Sequence, residues 1–95
     1  MNIKATVYFG KVKSGYFAGD VIAFFTGSRN PAEVLCYEHF GQHGKASIEY
    51  LTDITEPAAP EEYETLRAEL EDLIGYDLDI VSYSDFLDTI RREST

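Results

Sequence analysis

After Thr55-Glu56-Pro57-Ala58-Ala59 the hydrophobic period of this chain changes from two to about 3.6, and that switch limits what it can fold into. Upstream, Ile3, Ala5, Val7 and Phe9 alternate with Lys4, Thr6 and Tyr8, the pattern of a half-buried strand. Val21-Ile22-Ala23-Phe24-Phe25 is instead continuously apolar, as expected of a strand covered on both faces or lying at a sheet centre. Residues 34–40 and 46–51 read as third and fourth strands, separated by the turn-forming Gly41-Gln42-His43-Gly44. Downstream, Tyr63, Leu66, Leu70, Leu73 and Ile74 fall on one stripe, so residues 60–74 read as a helix. Pro60 suits its first turn, Glu61 and Glu62 its positive dipole end, and Gly75 its stop. Residues 77–81 read as a short strand. Ser82-Tyr83-Ser84-Asp85 then has the form of a capping box, with Tyr83, Phe86, Leu87 and Ile90 at the spacing of a short final helix.

The predicted architecture is α+β in the order ββββαβα. An antiparallel sheet of four to five strands (residues 3–9, 20–26, 34–40, 46–51 and the short 77–81) carries the long helix on one face through Leu66, Leu70 and Leu73, and a short C-terminal helix follows. Antiparallel pairing is expected because short, turn-rich connections cannot make the crossovers that parallel neighbours need. Ninety-five residues allow one small domain, residues 1–95, and 44% hydrophobic residues give it the apolar content of a folded chain.

Charge is unevenly divided. Residues 1–48 hold five bases and three acids, while residues 49–95 hold fourteen acids and three bases, so the net −9 belongs to the second half. Such a balance argues against direct binding to nucleic acid or an anionic membrane surface, and points to a basic partner. The single Cys36 cannot close an internal disulfide, and Met1-Asn2-Ile3-Lys4-Ala5 lacks a signal-peptide core, so a reduced, cytoplasmic setting is expected. No apolar run approaches the roughly 20 residues that span a bilayer.

On the helix, Glu61, Glu62, Glu64, Glu69, Glu71 and Asp72 occupy the side away from the leucine stripe, with Arg67 as the only base among them. Seven residues of helix rise about 10.5 Å. Three phosphate steps of one DNA strand cover about 10 Å, so this face is the candidate partner-binding surface, spaced like a nucleic-acid strand. The plain alternative is a solvated face that keeps a small protein soluble.

Cys36-x-x-His39-x-x-x-His43 contains good zinc-ligand types but no second Cys or third His, and on a strand Cys36 and His39 point to opposite faces. No metal and no cofactor is expected. Nucleophilic catalysis would need Cys36 or a Ser activated by an oriented base, and no phosphate loop or nucleophile elbow is present.

The run Tyr37-Glu38-His39-Phe40-Gly41-Gln42-His43-Gly44-Lys45-Ala46 resembles a family of small uncharacterised proteins of phages and other mobile elements that share Tyr-x-His-x-Gly-Gln-His-x-x-Ala. Pro57-Ala58-Ala59-Pro60-Glu61-Glu62-Tyr63, Glu69-Leu70-Glu71 and Gly75-Tyr76-Asp77-Leu78 extend the likeness, which runs from about residue 19 to 81 and leaves the final helix outside as an apparent addition. It implies no activity. It implies a setting, the bacterial host cytoplasm if phage-encoded, and it singles out Tyr37, His39, Gly41, Gln42 and His43 as a motif of unknown role.

The function expected is that of a non-enzymatic acidic interaction protein of phage or mobile-element type. Its sharpest form is an anti-defence inhibitor that occupies a nucleic-acid-binding surface of a host protein, with the basic surface of a host or phage protein as partner. The alternative is a small enzyme or ligand-binding domain built around His39, Gln42 and His43. Self-assembly through a strand edge or the last helix is a third reading, and monomer and dimer fit the sequence equally.

Overall fold

The structure of the protein is a computed structural model that describes residues 3–30, 32–38 and 42–93. Expectations resting on His39, Phe40 and Gly41 lie outside the described residues, and of Gln42 only the backbone is described. Strands β1 (Ile3–Val12), β2 (Val21–Phe25), β3 (Glu33–Glu38), β4 (Gln42–Ser47), β5 (Thr55–Pro57) and β6 (Tyr76–Ile80) form one six-stranded sheet. Helix α1 (Pro60–Ala68) continues as a wider π-type turn over Glu69–Ile74, and helix α2 (Tyr83–Glu93) ends the described chain.

The strand order is β4-β3-β2-β1, and the outer side of β1 is shared. β5 pairs antiparallel with Gly10–Val12, and β6 pairs parallel with Ile3–Val7. The sheet is therefore mixed, which corrects the all-antiparallel expectation. A parallel partner needs a crossover of a dozen or more residues, and the helical run from Pro60 to Ile74 supplies it.

The unbroken apolar run of β2 is explained by cover on both faces. Ala23 and Phe25 pack with Val7, Phe9, Tyr37, Leu66 and Leu70 under α1. Ile22 and Phe24 pack with Tyr8, Val12, Val34, Leu51 and Phe86 under α2. Three layers result, and α2 is no appendage. Gly10 lets the layers close, because a Cβ there would sit 3.0 Å from the Phe24 ring and 3.1 Å from Thr55 Oγ1.

Three expectations shift. The fourth strand occupies 42–47 rather than 46–51, in register from Glu38↔Gln42 to Glu33↔Ser47. The Gly-Gln-His-Gly segment is thus mostly strand, because backbone bonds to β3 satisfy an edge whose side chains carry no hydrophobic alternation. The following residues close into a helical turn, Tyr50–Ile54. Ile48, Leu51 and Ile54 are three apart, a spacing that puts them on one side of such a turn, and all pack on the α2-side core. Finally, Leu73 is 81% exposed while Leu66 and Leu70 are buried. Beyond Glu69 the turns widen, with Gly75 N–H donating to Leu70 O. Three residues of a wide turn advance less far round the axis than three α residues, so Leu73 falls off the stripe.

Both helices start and stop as their sequences dictate. Pro60 opens α1, Glu62 Oε1 accepts from the Ala59 N–H at 2.8 Å, and Gly75 ends the helical run at φ 90°. Ser82 Oγ accepts from the Asp85 N–H at 3.1 Å, so Ser82 caps α2.

Candidate functional site

The acidic helix and the Tyr–His motif, 32 residues apart at their contact, meet in space. Tyr37 lies in β3 with its side chain buried under α1, and its hydroxyl donates to Glu69 Oε2 at the first wide turn of the helix. His43, opposite Tyr37 in the β3–β4 register, packs edge-on against the Tyr37 ring at 4.7 Å. A carboxylate from the acidic face and two motif residues are thereby brought together at the β4 end of α1.

The rest of the helix face is tied down from within the chain. Lys11 Nζ on β1 reaches Glu62 Oε2 at 2.6 Å, which joins the first turn of α1 to the sheet. That contact, with the Ala59 N–H bond second, holds the Glu62 carboxyl below its usual range and pushes the Lys11 ammonium up. Arg67 forks between two acids, bonding Glu64 through Nε at 3.2 Å and Glu71 through Nη1 at 3.0 Å. Its guanidinium is pushed further up, chiefly by Glu64. Glu61 and Asp72 make no hydrogen bond or ion pair with any described residue, and both are exposed. Six carboxylates against two cations leave this face at −4.

These partnerships carry a pH dependence of definite sign. The folded-state pKa of Glu62 is depressed, so its contribution to stability is present above the ordinary glutamate pKa and is lost as pH falls through the lowered value. Being exposed and open to screening, the pair contributes little by itself. The Tyr37–Glu69 bond is different, because the tyrosine is buried. Tyr37→Phe removes the donor from a half-buried carboxylate and is expected to cost about 1.5–3 kcal/mol in chemical unfolding. A loss below about 0.5 kcal/mol would mean that this bond does not organise the site.

Cys36 and His43 do not converge. Cys36 stands opposite Gly44 and His43 opposite Tyr37, so alternation sends their side chains to opposite faces of the sheet. Burial, and then Glu38, push the Cys36 thiol pKa up, so it stays protonated at neutral pH and is a poor nucleophile. Among the described residues no three of His, Cys, Asp and Glu gather in a metal-binding group. No described helix is long and apolar enough to cross a membrane.

Sequence reasoning missed Lys11, because nothing in a linear chain marks a partner 51 residues away. Tyr16 and Phe17 fall in the turn-rich stretch 10–19, whose sequence reads as a connection in which these two residues could also extend the flanking strands. They stand 95% and 60% exposed in the β1–β2 connection, edge to face at 5.1 Å. The glycine-rich surroundings, with Gly15 and Gly19 at positive φ, were the available signal of a turn there. Compared with known proteins, the chain matches no family model, no curated protein and no solved structure.

Proposed function

We propose that this chain is a non-enzymatic interaction protein whose α1 face, extended by Glu69 and the neighbouring His43, docks on a basic surface of another protein. The observation that carries this reading is a negative face fixed in place before any partner arrives. Glu62, Glu64, Glu69 and Glu71 are each held by a capping bond, an ion pair or the Tyr37 hydroxyl, and the face still keeps a net charge of −4. Fixed charges lose little side-chain entropy on docking, and a field of one sign speeds encounter with a basic groove. A groove that ordinarily holds nucleic acid is the sharpest form of such a partner, since the helix offers carboxylates at about the spacing of every third phosphate. The phage-like motif supplies an anti-defence setting for that form.

A catalytic or ligand-binding role for His39, Gln42 and His43 has the His43–Tyr37 contact in its favour. Against it, the Tyr37 hydroxyl is committed to Glu69 and the Cys36 thiol is protonated, so neither of these described groups is an activated nucleophile for His43.

The test is capture of basic proteins from a bacterial lysate on the immobilised chain, at low and at high salt, with and without competing duplex DNA. Capture at low salt that both 1 M salt and DNA abolish is the expected result, since about 3 Å of screening length removes surface attraction. Capture indifferent to salt and to DNA would count against an acidic docking face.

A further inference from the structure

β6 is a sheet edge whose backbone is left open. It pairs only with β1, and the N–H of Val81, just past its end, donates to Val7 O at 2.9 Å. Peptide groups alternate in direction along a strand, so those of Asp77 and Asp79 also turn towards β1, while those of Tyr76, Leu78 and Ile80 turn outward. Among the described residues nothing pairs with these outward groups. Such a row of free donors and acceptors is a template for another strand.

The side chains along this edge are sorted by face. Tyr76 and Leu78 pack on the α1-side core, and Ile80, of the same parity, stands exposed at the end of their row. The row widens at its other end to the exposed Ile3, opposite Tyr76 on β1. Asp77 and Asp79 are exposed and take the other face, beside a hollow of about 520 Å³ that Lys4, Thr6 and Thr26 also line. Lys4 stands opposite Asp77 one strand further in, so acids outnumber bases there and hold the outermost position.

We propose that β6 takes up an extended strand of a partner protein in which basic and apolar residues alternate. The outward peptide groups of Tyr76, Leu78 and Ile80 bond its backbone, and its apolar residues continue their row. Its cations face Asp77 and Asp79, where the hollow admits a long side chain. A second copy of the chain is the poorer occupant. Antiparallel pairing of β6 with itself about Leu78 sets the aspartates of the two copies opposite one another, which like charges disfavour. This site is separate from the α1 docking face, because it is read by backbone bonds and its acids lie on the other side of the sheet, so either can fail alone.

The test titrates the protein at neutral pH with the peptide acetyl-Val-Lys-Val-Lys-Val-amide, following backbone amide signals by NMR. With lysines facing the aspartates, the valine nitrogens donate to β6 and the lysine nitrogens point away. Saturable shifts centred on the Leu78 and Ile80 amides are expected, with binding weakened about tenfold or more by methylating the valine nitrogens and little by methylating the lysine nitrogens. Glutamate in place of the lysines should weaken binding about threefold or more, a preference that Asp77→Asn with Asp79→Asn should narrow. Ile80→Pro removes an outward N–H without touching a bond to β1, so the fold should survive and binding should be lost. Equal binding of the two methylated peptides, shifts centred on α1 instead, or a dimer of the free chain that Ile80→Pro dissolves would overturn the assignment. Should Ile80→Pro fail to fold, the methylated peptides decide alone.

Discussion

Phe86→Ala is expected to cost about 3–5 kcal/mol, enough to leave a domain of this size marginal or unfolded at room temperature. The reason is its place in the second core. The Phe86 side chain is completely buried and packs with Tyr8 at 5.7 Å between ring centroids, beside Val12, Ile22, Phe24 and Leu51. Tyr83, Leu87 and Ile90 pack around the same cluster, so truncation opens a cavity that a short helix cannot easily collapse into. Chemical denaturation with far-UV and near-UV detection measures it. A loss under about 1 kcal/mol would make α2 the detachable addition that its place outside the motif likeness had suggested.

Leu70→Ala should cost about 2–5 kcal/mol, whereas Leu73→Ala should stay within about 0.5 kcal/mol of wild type. Both leucines sit on one predicted stripe, so the contrast isolates the widened turn. Leu70 is fully buried against Val7, Phe9, Ala23 and Phe25, while Leu73 lies beyond Glu69, where the backbone bonds to the fifth residue back. Equal costs at the two positions would show that the helix keeps its α pitch to Gly75, and would undo the placement of Glu69 beneath the Tyr37 hydroxyl.

How far the fold is legible in the chain depends on the range of the interaction that decides each element. The continuous apolar run of β2, the i, i+3, i+4, i+7 spacing of α2, Pro60 and Gly75 act within a few residues, and each element formed where its residues indicated. β5 is three residues long and β6 pairs with a strand more than seventy positions upstream, so their partners are set by the assembled sheet. Gly41-Gln42-His43-Gly44 carries turn residues, yet most of it is strand because β3 offers it a hydrogen-bonding edge. The site divides in the same way. The acidic side of α1 follows from helical spacing alone, whereas Tyr37 with Glu69 and Lys11 with Glu62 are unions of distant segments.

The two carboxylates of this face that make no hydrogen bond or ion pair with any described residue offer the most direct test of the docking face. Reversing Glu62, Glu64, Glu69 or Glu71 would break contacts to Lys11, Arg67 or Tyr37 and confuse folding with binding. Glu61→Lys with Asp72→Lys touches none of these contacts and raises the charge of the face by four, from −4 to neutral. The measurement is the association rate of this double variant, and of wild type, with a captured basic protein across a salt series. The account predicts a stability loss of only about 0.3–1 kcal/mol from the lysine at the positive end of α1, an association rate lower by about tenfold or more at low salt, and rates that converge as salt approaches 1 M. A double variant that folds normally and associates as fast as wild type at low salt would contradict it, and would leave the carboxylates of α1 as solubilising surface.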